Sequence, residues 1–440
     1  MHNVSEAEAL IFQQLPAFSA ESVRLAEAGG RVLREAICAD RPLPPYNRSM
    51  MDGIALRAAS LQAGSGLDAE VASGLDATAS WTLQVEGTQF AGMAGGILAD
   101  PSGGCVRIMT GAVVPAGADC VLPVEWLAFG EGKGQGEGKG EGRGEVSITV
   151  PANAPDIVPG LFVHAEGSDR AAGEILVPPG TRLDPPKVAI AAAVGMADVM
   201  VSVRPRVAVI STGDELVEPG LPIAAHLIRP SSTFGLVSAL RALGCDPVRM
   251  HLPDDEEALA QGLRDALDSC DAIVSSGGVS KGGKDFLPAV LTELGVTEHL
   301  HRISQKPGRP MWFGTRSVGA DQADGERVVP VFALPGNPVS TLVCFRRFVQ
   351  PAFERALGLE GRGVTTASAL LAAEVVFRPA LTHFCAVSVE PDADGRLHAT
   401  PVRINTSGDF AALGRSDGFL QLPADASEFP AGEAFPFFRW

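Results

Sequence analysis

The segment Ser275–Phe286, with the sequence SSGGVSKGGKDF, concentrates residue types suited to anion chemistry. It follows an apolar run, Ala272-Ile273-Val274, that reads as a buried strand. Glycines at a strand end let the backbone approach a ligand and offer successive N–H groups, as a phosphate-binding loop requires. Ser276, Gly277, Gly278 and Ser280 form a candidate cradle. Lys281 and Lys284 add positive charge, and Asp285 could hold a metal or position a reacting group. Tight turns use glycine in the same way, so the loop gains weight only from its neighbours.

Two other strand ends carry comparable turns. Thr212-Gly213-Asp214-Glu215 follows the apolar run Val207–Ile210, and Pro335-Gly336-Asn337-Pro338-Val339-Ser340 follows Val329–Leu334. Pro338 suits the first turn of a helix with Asn337 as its cap, and the open N–H groups of such a turn attract anions. A well-capped helix without a ligand is the plainer alternative. Between these turns, Lys306 and Arg309 flank Pro307-Gly308, a rigid turn that aims both cations in a fixed direction. That arrangement favours anion binding over an ordinary solvated turn.

Acidic residues gather near the same strand ends. Glu215, Asp254, Asp255 and Asp285 are candidate oxygen ligands for Mg²⁺, which shares its coordination with substrate phosphates and water. Charge at a helix N-terminus also accounts for most of the run Asp254-Asp255-Glu256-Glu257. The pair His299 and His301 is explained by alternation along a strand. Two turns lie far from this cluster, Pro44–Gly53 with Asp52 and Arg107–Ala112 with Thr110, and each reads alone as a turn.

The elements that must position these residues follow from periodicity. Residues 5–40 read as helical until Arg41-Pro42-Leu43-Pro44-Pro45 stops the pattern. Residues 50–150 are short β-like runs separated by glycine, and the low-complexity tract Gly130–Glu145 is expected to be a mobile hairpin tip without chemistry. After a proline-rich connection at 178–186, strands alternate with helices over 232–243, 255–267, 285–294 and 338–348. This predicts βαβ units and a doubly wound parallel sheet, with ligands at the carboxyl ends of its strands. From about residue 352 short strands return, predicting a small β domain. The fold class is therefore multidomain α/β plus β.

The chain has 440 residues, enough for several cores, and a formal net charge of −17. That charge argues against nucleic acid and anionic membrane as partners, but permits a small anionic ligand where cations cluster. The seven cysteines are scattered and never form a C-x-x-C pair, which argues against a zinc site or disulfide framework. Met1–Glu6 lacks the pattern of a signal peptide and the longest apolar stretch, Val188–Ala197, is too short to span a bilayer. A cytoplasmic setting is expected.

Taken in order, Ser49–Gly53, Arg107–Ala112, Ser211–Leu216, Ser275–Ser280 with Asp285-Phe286, Lys306–Pro310 and Leu334–Ser340 resemble the motifs of the molybdopterin molybdenumtransferase family, which includes the E domain of gephyrin. The resemblance covers nearly the whole chain. It implies an elongated subunit with a linker-like domain (1–46 and 152–204), an inserted β-rich domain (47–151), an α/β molybdopterin-binding domain (205–351) and a C-terminal β domain (352–440). It further implies a homodimer, with a cleft between the α/β domain of one subunit and the β-rich domain of the other. The implied reaction inserts molybdate into adenylylated molybdopterin and releases AMP with Mg²⁺. An upstream adenylyltransferase and recipient molybdoenzymes or their chaperones are implied as partners.

The resemblance carries roles onto particular residues. Asp52 and Thr110 stand for the β-rich side of the cleft, and Glu215, Asp254 or Asp255, and Asp285 for the α/β side. Lys306 and Arg309 stand for oxyanion binding, and Gly277, Gly278 and Ser280 for the pterin phosphate. Asp169 matches a further acidic position. The chain departs from the pattern at Asn47-Arg48, where members usually have Asp-Asn, at His164, where arginine is frequent, and at Ile54 and Lys281. A carrier that binds the pterin cofactor without turnover, and an adenylyltransferase acting on molybdopterin, are the alternatives. The acids Asp52, Glu215 and Asp285 favour the transferase over the carrier, and the additional domains favour it over the adenylyltransferase.

Overall fold

Six strands form the sheet that positions the glycine turns: β1 (Arg206–Thr212), β2 (Asp246–Leu252), β3 (Ala272–Ser276), β4 (Thr297–His301), β5 (Trp312–Val318) and β6 (Arg327–Leu334). The structure is a computed structural model that describes residues 1–62, 80–129, 144–151, 153–279, 286–318, 327–360, 367–406 and 408–440. The expected hairpin tip at 130–143, and Ser280 and Asp285 of the glycine-rich loop, lie outside the described residues.

The sheet order is β2-β1-β3-β6-β5-β4. β2, β1, β3 and β6 run parallel, as expected, whereas β5 and β4 are antiparallel additions at one edge. The sheet is therefore mixed, not purely parallel. Alternation along each parallel strand sends side chains to two faces. Val207 and Val209, with Val274 and Phe332, pack under helices Ser231–Leu243 and Pro338–Cys344 through Leu236, Leu240 and Val343. Ala208 and Ile210, with Ile273 and Val331, pack under helices Glu256–Ser269 and Leu287–Glu293 through Leu259, Leu263 and Leu291. The chain leaves β1 for β2 on one side and returns to β3 on the other, which opens a crevice between the ends of β1 and β3.

The last part of the chain closes into a ring of five strands: Thr382–Pro391, Leu397–Pro401, Ala367–Leu371, Ala434–Arg439 and Gly418–Leu422. The short strand Gln305–Lys306 joins it in parallel with Thr382-His383, tying the Lys306 turn to the barrel. These elements belong to one compact unit, made of Met1–Ala36, Pro178–Ala192 and Met196–Trp440.

The expected helix over 5–40 is correct only at its start. Helix Val4–Gln14 begins with a capping box in which Asn3 and Glu6 each accept the other's backbone N–H at 2.9 Å. Leu15 is extended ahead of Pro16, and the chain continues as strand Ala20–Arg24, paired with Asp198–Ser202. The helix from Pro338 runs further than expected, passing through a π turn at Phe345–Val349 into Gln350–Ala356 just ahead of Pro351.

The second unit comprises Ile37–Val177 and Ala193–Gly195. Its six-stranded mixed sheet runs in the order Cys120–Pro123, Gly53–Leu56, Gly104–Ile108, Ser80–Gln89, Gly144–Thr149, Leu127–Phe129. Gly53 has a steric reason, since a Cβ there would lie 1.8 Å from the Leu122 carbonyl oxygen. Two short ladders, Arg48-Ser49 with Val163-His164 and Ile37-Cys38 with Ile175–Val177, complete it. The seven cysteines are all free, and among the described residues no helix is long and apolar enough to cross a membrane.

Candidate active site

The crevice between β1 and β3 opens into a cavity of about 920 Å³. Its floor is built from the three turns singled out by the sequence. Thr212, Gly213 and Glu215 extend β1, Ser276, Gly277 and Gly278 extend β3, and Pro335, Gly336 and Asn337 extend β6. Gly213, Gly277 and Gly278 have φ of +125°, +106° and +74°, a region that side chains rarely adopt. The turns touch: Gly277 N–H donates to Leu334 O at 3.0 Å, and a Cβ on Gly336 would lie 3.4 Å from Gly277 Cα. The buried Thr341 hydroxyl links them further, donating to the carbonyl oxygens of Pro335 and Asn337 and lying 3.4 Å from both Ser276 Oγ and Ser232 Oγ.

One wall carries carboxylates. Glu215 and Asp254 both line the cavity. Glu215 folds back over its own turn, so that a Cβ on Gly213 would meet its Oε2 at 2.5 Å. Asp254 is held by its backbone N–H, which donates to Asp214 Oδ1 at 3.2 Å. Asp255 instead serves as the N-cap of helix Glu256–Ser269, its Oδ1 accepting from Ala258 N at 2.9 Å. Neither Asp214 nor Asp255 lines the cavity. Two carboxylates lining one cavity match the donor set of Mg²⁺, which takes one or two carboxylates and completes its shell with phosphate and water. No group of three or more His, Cys, Asp or Glu suited to hold a metal occurs among the described residues. Ile223, Leu227, Ile228 and Phe410 add apolar lining to the same cavity. Ile228 and Phe410 are 55% and 59% exposed, which suits cover for a flat ring.

A second cavity of about 700 Å³ adjoins the first and shares Pro310, Pro335 and Asn337 with it. Lys306 and Arg309 line it, together with Ser340 and barrel residues that include Phe377 and His383. No Asp or Glu lines it among the described residues, and neither cation is in an ion pair there. The turn is fixed from below. Gly308 has φ +91°, its carbonyl accepts from Gln305 Nε2 at 3.2 Å, and a Cβ on it would strike Cys344 Sγ at 2.4 Å. Lys306 Nζ stands 5.9 Å from the centre of the Phe377 ring, which stacks on His383 at 4.1 Å with 8° between planes. His383 Nδ1 lies 3.3 Å from Lys306 O, and burial pushes the imidazole below its ordinary pKa.

Within the second unit, Asp52 and Thr110 meet directly. Asp52 Oδ1 accepts from both the backbone N–H and the hydroxyl of Thr110, each at 2.7 Å. His299 and His301 lie on strand β4, and His299 Nε2 is 2.7 Å from Thr315 Oγ1. Asn337 occupies the cap position, although its side chain makes no capping bond.

Sequence reasoning missed several wall residues. Arg229 lines the first cavity and donates to the carbonyls of Val217, Glu218 and Leu221, holding the loop that carries Ile223 and Leu227. Its position just before Pro230 and the helix from Ser231 was the available signal. Phe377, His383 and Phe410 carried no local signal, because only the closure of the barrel brings them to the cavities.

The chain matches three family descriptions in succession: the MoeA N-terminal region (domain I and II) over residues 2–195, a probable molybdopterin binding domain over 208–355, and the MoeA C-terminal region (domain IV) over 368–440. It is similar to the molybdopterin molybdenumtransferase of Synechocystis sp., at 34% identity over 441 residues and the full length of both chains. It is also similar to molybdopterin molybdenumtransferase 2 of Mycobacterium tuberculosis, at 30% identity and 98% of each chain. A crystal structure of the molybdopterin biosynthesis moeA protein from Pyrococcus horikoshii superposes with a TM-score of 0.78 at 30% identity, covering 99% of this chain and 98% of that one. The chain belongs to the MoeA family of molybdopterin molybdenumtransferases.

Proposed function

We propose that this molybdopterin molybdenumtransferase takes adenylylated molybdopterin in the cavity at the β1–β3 crevice and molybdate in the adjoining cationic cavity. The observation that carries the reading is the separation of charge between the two. Glu215 and Asp254 line the first, whereas Lys306 and Arg309 line the second with no carboxylate beside them among the described residues. Two anionic substrates repel, and fixed cations are needed to gather one against the other.

The chain's own groups then have defined roles. The N–H of Gly278, in the turn that Gly277 fixes by donating to Leu334 O, holds phosphate oxygens at the crevice, and Ile223, Ile228 and Phe410 cover a flat ring. Lys306 and Arg309 orient the oxyanion, and the buried Ser340 adds a hydroxyl to the same cavity. Glu215 and Asp254 would hold Mg²⁺, with Asp285 as a further ligand; when bound, the ion supplies Lewis-acid polarisation of the phosphoanhydride as AMP leaves. Asp52, oriented by Thr110, and Asp169 are the site carboxylates of the second unit. The four-part division at residues 46, 151, 204 and 351 and a homodimer follow from the family resemblance, and a cytoplasmic setting from the cysteine pattern and the lack of a signal-peptide pattern.

The test is AMP release and cofactor formation from adenylylated molybdopterin with purified protein. Turnover that needs molybdate and Mg²⁺, that fails in Asp254→Ala and that needs about 10-fold more molybdate in Lys306→Ala, is the expected result. Tight pterin binding with no turnover in the unmodified protein would replace the reading with that of a carrier.

A further inference from the structure

Two departures from the family pattern, Arg48 and His164, are direct cross-strand partners. The antiparallel ladder of Arg48-Ser49 with Val163-His164 sets His164 opposite Arg48. Arg48 Nη2 lies 3.0 Å and Nε 3.3 Å from His164 Nδ1, and His164 Nε2 lies 2.9 Å from Asp169 Oδ1. A guanidinium has only donors, so Nδ1 must present its lone pair. Nε2 then bears the ring proton and donates it to the carboxylate. Only the neutral Nε2–H tautomer makes both bonds at once.

The loop that carries Asp169 is tied down independently. Backbone N–H groups of Asp169 and Arg170 both donate to Leu43 O, at 2.9 and 3.1 Å, and Gly167 N–H donates to Pro44 O at 2.9 Å. The side chain of Asn47, the third departure, accepts from Glu166 N at 2.8 Å. The backbone is thus fixed, and the remaining freedom is the Asp169 side chain. Its Oδ2 makes no hydrogen bond among the described residues, and the side chain is 54% exposed. The charged groups bonded to the imidazole are Arg48 on the paired strand and Asp169 on its own segment, while the Arg170 guanidinium pairs with Glu174.

We propose that His164 is a positioning residue, held as the neutral Nε2–H tautomer by Arg48, that fixes the Asp169 carboxylate with Oδ2 presented to substrate. This rests on the reading of Asp169 as a site carboxylate. Exposed polar contacts contribute little to stability, as exposed ion pairs do, so the value of the chain Arg48–His164–Asp169 lies in orientation. Small errors in the placement of a reacting group are costly in rate.

The experiment uses full-length protein with ¹⁵N-labelled histidine, and the variants His164→Gln, His164→Ala and Asp169→Ala. A glutamine amide can accept from Arg48 and donate to Asp169, and so reproduces the tautomer without an imidazole. The expected imidazole signals for His164 are those of a neutral ring protonated at Nε2. Turnover is expected to fall about 10-fold in His164→Ala and to stay within about twofold in His164→Gln, with unchanged thermal unfolding in both. Signals of an Nδ1–H or doubly protonated ring would overturn the proposal, as would equal turnover in the alanine and glutamine variants. Wild-type turnover in Asp169→Ala would remove the site assignment and the positioning role with it. That failure is told apart from a wrong tautomer, because the imidazole signals report on the hydrogen bonds themselves.

Discussion

Asp52 receives two hydrogen bonds from a single residue, the backbone N–H and the hydroxyl of Thr110, and both end on the same oxygen at 2.7 Å. The amide bond first and the hydroxyl second hold the Asp52 carboxyl below the usual carboxylate range, with a smaller contribution from Arg107. A depressed carboxyl favours the folded state at neutral pH, and that contribution is lost as pH falls through the folded-state value. Thr110→Val removes the second donor and leaves the first. Carboxyl NMR titration is expected to show the Asp52 pKa rising but remaining depressed, with turnover reduced, while Thr110→Ser behaves as wild type. An unshifted Asp52 in Thr110→Val would mean that the hydroxyl does not act on the carboxylate.

Asp254 and Asp255 are adjacent in sequence and differ in role, since the first lines the cavity and the second caps a helix. Asp255→Ala is expected to lower stability by about 1 kcal/mol, the usual cost of a lost N-cap, and to leave turnover near wild type. Asp254→Ala is expected to keep stability and lose Mg²⁺-dependent turnover. Thermal unfolding and the Mg²⁺ dependence of AMP release separate the two. A fully inactive Asp255→Ala with unchanged unfolding would reverse the assignment.

The difference between these two residues shows where sequence reading stops. The turns at Thr212–Glu215, Ser276–Gly278 and Pro335–Asn337 were legible because each follows a continuous apolar strand, and the observed topology brings all three to one crevice. The acidic run after Pro253 could not be resolved into ligand and cap, because that depends on where the first helical turn begins. The antiparallel strands β4 and β5 were not legible either. A strand buried on both faces carries no mark of its direction, and Trp312 and Phe313 are both fully buried. The helical reading beyond Gln14 failed because Ala20–Arg24 has no alternation of its own: four of its five residues are exposed. The aromatic pair Phe377 and His383 is separated from Lys306 by about 70 residues of chain and is joined to it only by pairing of Gln305-Lys306 with Thr382-His383.

Lys306 and Arg309 line a cavity that holds no carboxylate among the described residues, which leaves their charge to a ligand. Lys306→Ala is expected to raise the KM for molybdate about 10-fold, equivalent to about 1.4 kcal/mol of lost binding. Arg309→Lys is expected to weaken it too, because a point charge does not reproduce the fork of a guanidinium. Tungstate, of the same charge and shape, is expected to compete with molybdate in the wild type. Steady-state kinetics at varied molybdate and at fixed adenylylated molybdopterin check this. An increase confined to the KM of the pterin substrate would move both cations to the other ligand.

His383 gives a separate, pH-dependent signature. Burial is the main cause that depresses its pKa; the Lys306 carbonyl works in the opposite direction and the nearby Lys306 ammonium adds to the depression. The imidazole is therefore neutral in the folded protein near pH 7, whereas the unfolded chain takes up its proton at about 6.5. Between those two values the unfolded state binds more protons, so stability rises with pH there. The contribution is complete above the unfolded value and is lost as pH falls from it toward the folded value. Denaturant unfolding between pH 5 and 7.5 is expected to show a steeper loss of stability in the wild type than in His383→Gln, whose amide does not titrate. Molybdate in the same cavity would favour the imidazolium, so its binding is expected to draw a proton from solution. Calorimetry in buffers of different ionisation enthalpy reads that uptake directly, and its absence at pH 6 would put the oxyanion out of reach of His383.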